Sequence, residues 1–518
     1  MPIALEASPV YQRFQYFGKM NPNKLALVCG ETRHSYRELL VQVDALADGL
    51  AAAGLAVGEH MGVLLPNCVE FVLLLLAGAR VGAVMVPQSL GLAANALENT
   101  FKAADVQHLV TWGGAAASLS AETLALASKG LRWTVGNSIP GWTPLTDVIA
   151  SATKSPCYAP LLPDDLPYLL LLTSGSTGKP KPLLLSQQTK IRRAESTAEL
   201  YDVTADDVVL AATPLYHSLA QRLVLMPLLS GGTCVLMEHF TPSAWIDAVR
   251  THQASFSIAI SSQLKQILAR LVATGESLPS LRCLVSSSAL LDSDTKKRLI
   301  AQLECEFHEC YGASEIAIAT NLSPDGAVHK LASVGTALPG TEIIILGDHG
   351  HPVPAGTAGE IACRTPMLCD GYYRQPAATA ATLWGDFFRT GDLGRLDEDG
   401  FLYFLGRIKD IIITGGVNVY PKDIEDVVAD HPAIKECAAI PLVDDKLGEV
   451  AGLVLAFNDP ANPPAIRDIQ RLCMQGLGDF QQPRCFFVVP ELPKNALGKV
   501  DKPFLRQTYS HPLNPKPA

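Results

Sequence analysis

No pair among the twelve cysteines stands as Cys-x-x-Cys, and the nearest neighbours, Cys305 with Cys310 and Cys363 with Cys369, lack the spacing of zinc ligands. They read as reduced thiols. Positive charge is also scarce: a net charge of −10 leaves no basic field for a nucleic-acid backbone and disfavours DNA or RNA binding as the main activity. No basic-then-apolar signal segment opens the chain, so the cytoplasm is the expected compartment. Long apolar runs are missing too. The most membrane-like stretch, Phe71 to Val86, is shorter than the roughly 20 residues of a spanning helix and contains Arg80; it reads as a buried helix running into a strand, and no membrane span is expected. There is no Walker phosphate loop, no G-x-G-x-x-G after a strand, and no internal repeat.

The 518 residues exceed what one core usually holds, and 48% apolar residues can fill more than one. Between Leu25 and Pro366, strand-like runs alternate with helical patterns: Met61 to Leu65, Val84 to Pro87, His108 to Thr111, Val208 to Ala212, Thr233 to Leu236, Ser255 to Ile260 and Cys283 to Ser286. Such alternation predicts an α/β fold with largely parallel sheets, whose binding loops lie at strand C-terminal ends. Glycine- and proline-bearing stretches at Val334 to Gly340 and Pro352 to Gly359 predict a smaller β-rich lobe. Past Gly406 the pattern becomes a compact α+β unit, with strand Ile411 to Ile413, helix Pro421 to Asp430, strands Cys437 to Pro441 and Val450 to Phe457, and a helix near Ile466 to Leu477. The expected division is 1–406 and 407–518.

Directly after the apolar run Tyr168 to Leu172 the chain reads TSGSTGKPK. Gly175 and Gly178 let the backbone approach an anion, Thr173, Ser174, Ser176 and Thr177 add hydroxyl donors, and Lys179 and Lys181 add charge, so the segment reads as a phosphate-holding loop. At Tyr311 to Glu315 the sequence YGASE sets an aromatic face, a glycine and a carboxylate side by side, suited to a purine, a close backbone approach and a Mg²⁺ ion. Arg389 to Arg407 offers Asp392 and Arg407 around the turn Glu398-Asp399-Gly400: a carboxylate for ribose hydroxyls and a guanidinium for those hydroxyls or a phosphate, or simply a structural ion pair. Near the C-terminus PKNALGKVDK presents Lys499 on a turn-rich loop.

In order and spacing, TSGSTGKPK, YGASE, RTGD…GR, GRIKDIIITGGVNVYP and PKNALGK resemble the adenylate-forming superfamily of acyl- and aryl-CoA ligases, carrier-protein adenylation domains and luciferases, over nearly the whole chain. The resemblance implies that an acid is joined to AMP from ATP with release of pyrophosphate and is then passed to the thiol of CoA. Thr173 to Lys181 would embrace the β- and γ-phosphates, Glu315 would bind Mg²⁺, and Ser314 would touch the α-phosphate. Tyr311 would lie on the adenine beside Gly312, and Asp392 with Arg407 would take the ribose. Lys499 would bridge the acid and the α-phosphate. Residues 1–406 would bind ATP and acid, while the mobile 407–518 domain, pivoting at Lys409, would bring first Lys499 and then Gly415 and Gly416, which leave room for a pantetheine arm.

By the same resemblance the acid pocket lies between Pro214 to Arg222, the strand end Ser286 to Leu291 with Ser288, and Gly312 of the YGASE loop, with His217 lining the acyl site. Amino-acid-activating relatives usually carry an Asp near His217, and Tyr216-His217-Ser218 supplies none. An unpaired buried ammonium is costly, so an aryl or apolar acyl acid is expected. Arg222 reads as a rim or surface arginine rather than the partner of a second carboxylate. Pro182, Gln187, Ser314, Ser286-Ser287-Ser288 and Val417 stand where relatives often carry Gly, His, Thr, Gly-rich sequence and Glu, which leaves acceptor and pocket shape open. The alternatives are a stand-alone adenylation enzyme loading the phosphopantetheine of a carrier protein, and luciferase-like oxygenation of the adenylate.

Overall fold

The computed structural model describes residues 5–127, 130–151, 160–163, 166–174, 180–494 and 500–509, with the backbone alone at 5–7, 118, 173 and 174. The chain divides into two compact units, one of residues 1–342 and 363–388, the other of residues 343–362 and 389–518.

The first unit is built on two large sheets. One has seven strands in the order Pro180–Ser186, Pro167–Ser174, Val84–Pro87, His60–Leu64, His108–Trp112, Arg132–Val135 and Thr143–Pro144, parallel except for the first pair. The other has nine, and its six central strands, Leu25–Cys29, Thr233–Leu236, Val208–Ala211, Phe256–Ile260, Cys283–Ser287 and Glu306–Ala313, run parallel between antiparallel edges. Each strand expected from the apolar runs is present to within a residue or two. Their runs are continuous rather than alternating because helices cover both faces of a parallel sheet.

The membrane-like run is the helix Val69–Val81, with every residue from Phe71 to Val81 buried, followed by the strand Val84–Pro87. Arg80, only 1% exposed, is tolerated there because its guanidinium pairs with Asp44 and Asp48, each at 3.0 Å, and lies over the Tyr11 ring. Gly82 ends the helix in the left-handed region, φ 74°, where a Cβ would also strike Leu162. Among the described residues no helix is long and apolar enough to cross a membrane, and every described cysteine is a free thiol.

In the second unit the strands Val417–Val419, Ile412–Thr414, Gly448–Phe457 and Ile434–Asp444 form a sheet, with Cys485–Val488 added parallel to Gly448–Phe457. Helices Pro421–Ala429 and Ile466–Gly476 contribute Ile424, Val428, Ile469 and Cys473 to one core, against Ile412, Leu453 and Leu455. A separate hairpin, Phe387–Leu396 with Leu402–Arg407, sets Asp392 opposite Arg407.

Candidate active site

The phosphate-loop motif is a hairpin. Strand Pro167–Ser174 carries Thr173 and Ser174 at its C-terminal end, and strand Pro180–Ser186 returns antiparallel, with Thr173 opposite Lys181 and Ser174 opposite Pro180. Lys181, read from sequence as part of the loop, is therefore a strand residue. The run Leu183-Leu184-Leu185 makes the return strand, and Pro180 and Pro182 disguise it; they are tolerated because the strand is outermost in its sheet, where the segment 370–373 bonds to Leu184 N and to the Pro182 carbonyl but requires no amide from either proline. Gly175, Ser176, Thr177, Gly178 and Lys179 lie outside the described residues.

The YGASE segment forms the turn between strands Glu306–Ala313 and Ala317–Leu322. Gly312 is irreplaceable there: the register slips between Tyr311 and Gly312, and a Cβ would come within 1.7 Å of the Ala317 carbonyl oxygen. Tyr311 is buried, Ser314 exposed and Glu315 half-buried. The turn is held from beneath by Arg193, an arginine that sequence reasoning missed. Its Nη1 and Nη2 donate to the carbonyls of Ser314 and Glu315 at 2.9 and 2.8 Å, and its Nε donates to Met367 O at 3.0 Å. Burial, and then the neighbouring Arg222, lower the Arg193 pKa to about 10, which leaves it charged at neutral pH.

Hairpin and turn are joined through Tyr372. Its hydroxyl donates to Glu315 Oε1 at 3.1 Å, and Lys181 Nζ lies 5.3 Å from the centre of its ring. Burial first, and Glu315 second, push the phenol above its ordinary value, so it stays a donor. Glu315 fits a divalent cation: one carboxylate oxygen is oriented by Tyr372, and the other accepts no hydrogen bond among the described residues.

His217 caps the N-terminus of helix Ser218–Leu228, half-buried, with its ring edge-on to Tyr216 at 4.3 Å. Ser288, just past strand Cys283–Ser287, sits at φ 73°, the left-handed conformation glycine adopts freely. Gln187 serves the fold: it accepts from Ser8 Oγ and Val10 N and donates to Ala79 O.

Arg222 corrects the sequence expectation. It is no surface or rim residue but 6% exposed, and its side chain makes no hydrogen bond and no ion pair among the described residues. The sequence signal for burial was its place among Leu219, Leu223 and Met226, an apolar face at helical spacing. Nearby Lys190, 2% exposed, donates among the described residues only to Gln221 Oε1 at 3.0 Å; burial, then Arg193 and Arg222, hold its pKa well below the lysine norm. The helices Gln187–Leu200 and Ser218–Leu228 thus bury three basic side chains, of which Arg193 alone is saturated with acceptors.

In the second unit Asp392 is buried and forms an ion pair with Arg407, Nε to Oδ1 3.0 Å, the structural pairing that the sequence left open. Lys409 lies exposed in the short helical turn Ile408–Asp410. Gly415 and Gly416, φ 58° and 83°, make the two-residue turn of the hairpin Ile412–Thr414 to Val417–Val419, a geometry needing positive φ at both positions. Lys499 lies outside the described residues; the flanking Lys494 and Val500 pair in an antiparallel bridge.

One further cluster, Cys283, Glu306 and His308, lies at the opposite end of the parallel strands. Asn321, its amide oriented by Tyr201, donates to His308 Nδ1, so the ring proton sits on Nε2, facing Glu306. A metal ligand needs a lone pair on that nitrogen.

Residues 14–373 match the family model described as AMP-binding enzyme, and residues 423–499 match its C-terminal domain. The chain is 32% identical over 496 residues to the indoleacetate–CoA ligase of Aromatoleum aromaticum, covering 94% of this chain and 96% of that one. It is 30% identical to a feruloyl-CoA synthase of Amycolatopsis sp, covering 95% and 97%. Among solved structures, ATP-bound MatB from Rhodopseudomonas palustris is similar with a TM-score of 0.87 and 29% identity, over 97% and 99% of the two chains.

Proposed function

From membership of the AMP-binding enzymes, the family to which this chain belongs, we propose that it activates a carboxylic acid with an aryl or apolar acyl body and transfers it to CoA. In the first half-reaction a carboxylate oxygen attacks the α-phosphorus of ATP, the bond to the β-phosphate oxygen breaks, and pyrophosphate leaves. In the second the thiol sulfur attacks the acyl carbon and AMP leaves. Both steps depend on placement and charge neutralisation more than on covalent help from the protein.

The supporting observation is the frame Lys181–Tyr372–Glu315, with Arg193 beneath it, which ties the phosphate hairpin to the YGASE turn at the C-terminal ends of parallel strands. In this reading the 173–181 hairpin holds the β- and γ-phosphates, Ser314 the α-phosphate, and Glu315 a Mg²⁺ ion whose charge offsets that of the phosphates. Tyr311 and Gly312 border the adenine, and Asp392 takes the ribose hydroxyls with Arg407. Lys499 neutralises charge between acid and α-phosphate. His217, Ser288 and Gly312 wall the acid, Gly415 and Gly416 pass the pantetheine, and a 407–518 domain pivots at Lys409. ATP and CoA are cytoplasmic solutes, and a cytoplasmic location goes with this reading. An α-amino acid is disfavoured twice over: no carboxylate flanks His217, and the buried guanidinium of Arg222 repels an ammonium.

Lys499→Ala is expected to abolish adenylate formation while sparing thioester formation from supplied acyl-AMP. Equal loss of both half-reactions removes Lys499 from this role. Products formed with CoA and with a panel of carrier proteins decide between the two acceptors.

A further inference from the structure

Among the described residues, four of the buried polar side-chain atoms that lack a hydrogen-bond partner lie on segments bordering the expected acid side of this site: Thr213 Oγ1 after strand Val208–Ala211, Ser218 Oγ and Arg222 Nε on helix Ser218–Leu228, and Ser286 Oγ on strand Cys283–Ser287. Ser218 and Arg222, four residues apart, share one helix face. Arg222 couples electrostatically to Cys310, the residue before Tyr311, and Cys310 bonds in turn to Ser287. Arg222 is therefore near Cys310, on the strand that runs into the YGASE turn, and near Tyr201. The backbone of Arg222 is about 7.5 Å along the helix axis from that of His217, at 1.5 Å per residue.

A guanidinium cannot shed its proton at neutral pH, so it carries a full charge wherever it is buried. Arg193 shows how this fold accommodates such a charge, with three carbonyl acceptors. Arg222 has none among the described residues, and its neighbour Arg193 is a cation of its own sign. The missing acceptor has the chemistry of an oxyanion: planar or tetrahedral, negative, and able to take a forked donor.

We propose that Arg222 is the specificity-determining residue for a second negative group on the acid substrate, a carboxylate or sulfonate at the end far from the carboxylate that is activated. This rests on the ligase reading above and narrows it. The substrate is a dianion whose near carboxylate meets ATP and whose far oxyanion is bonded by Arg222, with the Ser218 and Ser286 hydroxyls available as further donors.

The test is acid-dependent pyrophosphate release by the wild-type enzyme with matched pairs: succinate, glutarate and 4-carboxyphenylacetate against their far-end monomethyl esters, and 4-sulfobenzoate against benzoate. The dianions are expected to exceed their neutral-ended partners in kcat/KM by about 10⁴-fold, the discrimination of a site whose buried polar group is otherwise left unpaired. The carboxylate and sulfonate arms identify which oxyanion fits. Arg222→Met is expected to remove that advantage mainly by raising KM, leaving the esters unchanged or improved, and Arg222→Lys should fall between. Turnover of esters and benzoate at or above the rate of the dianions overturns the proposal and leaves the ligase reading standing. Pyrophosphate release with no acid overturns both. Should Arg222→Met fail to fold, the wild-type pairs and Arg222→Lys decide alone.

Discussion

Two neighbouring helices treat a buried arginine in opposite ways. On Gln187–Leu200, Arg193 spends its guanidinium on three backbone carbonyls and in doing so shapes the YGASE turn. On Ser218–Leu228, Arg222 is nearly as buried and bonds nothing among the described residues. Burial alone therefore does not distinguish a structural charge from a functional one; the count of acceptors does. A saturated charge returns its desolvation cost to the fold, whereas an unsaturated one reduces stability until a ligand completes it.

The sharpest break of this comparison is Arg193→Met. It strands three carbonyls and releases the turn, and should cost on the order of 3–5 kcal/mol in denaturant unfolding, with loss of adenylation. Arg222→Met removes an uncompensated buried charge and should leave stability unchanged or raise it by about 1–2 kcal/mol. If the two variants are destabilised alike, Arg222 is bonded in solution and the contrast fails.

A smaller effect concerns the wall beside Arg222. Burial pushes the Asp292 carboxyl upward, but bonds from Lys265 and the Thr295 amide outweigh this and hold it down at about 2. A depressed carboxylate pKa stabilises the fold above the unfolded value near 4 and loses that contribution as pH falls toward 2. Because the side chain is 43% exposed, solvent screening reduces the contribution to about 1 kcal/mol. Acid unfolding of Asp292→Asn should lack this component between pH 4 and 2, and an unchanged acid profile counts against it. Smallest of all, Ser288→Gly relieves a left-handed serine and should raise stability by no more than about 1 kcal/mol, read as a shift in the denaturation midpoint.

Much of the scaffold could be read from sequence because parallel strands buried on both faces leave continuous apolar runs, as at Thr233–Leu236 and Phe256–Ile260. The return strand Pro180–Ser186 was hidden because proline argues locally against a strand while the edge position permits it. Motif residues such as Glu315 and Asp392 were visible since their chemistry is written in adjacent letters. Arg193 and Tyr372 were not: each acts through partners more than 50 residues away in the chain, Ser314 and Glu315 for Arg193 and Glu315 for Tyr372, and only the packed fold brings them together, while the burial of Arg222 was signalled only by its apolar neighbours at helical spacing.

The central claim is that this site joins a carboxylic acid to AMP, and exchange of labelled pyrophosphate into ATP across a panel of aryl, aliphatic and dianionic acids tests it most directly. The account predicts exchange that requires both an acid and Mg²⁺ and needs no CoA. ATP binding without exchange for any acid contradicts it.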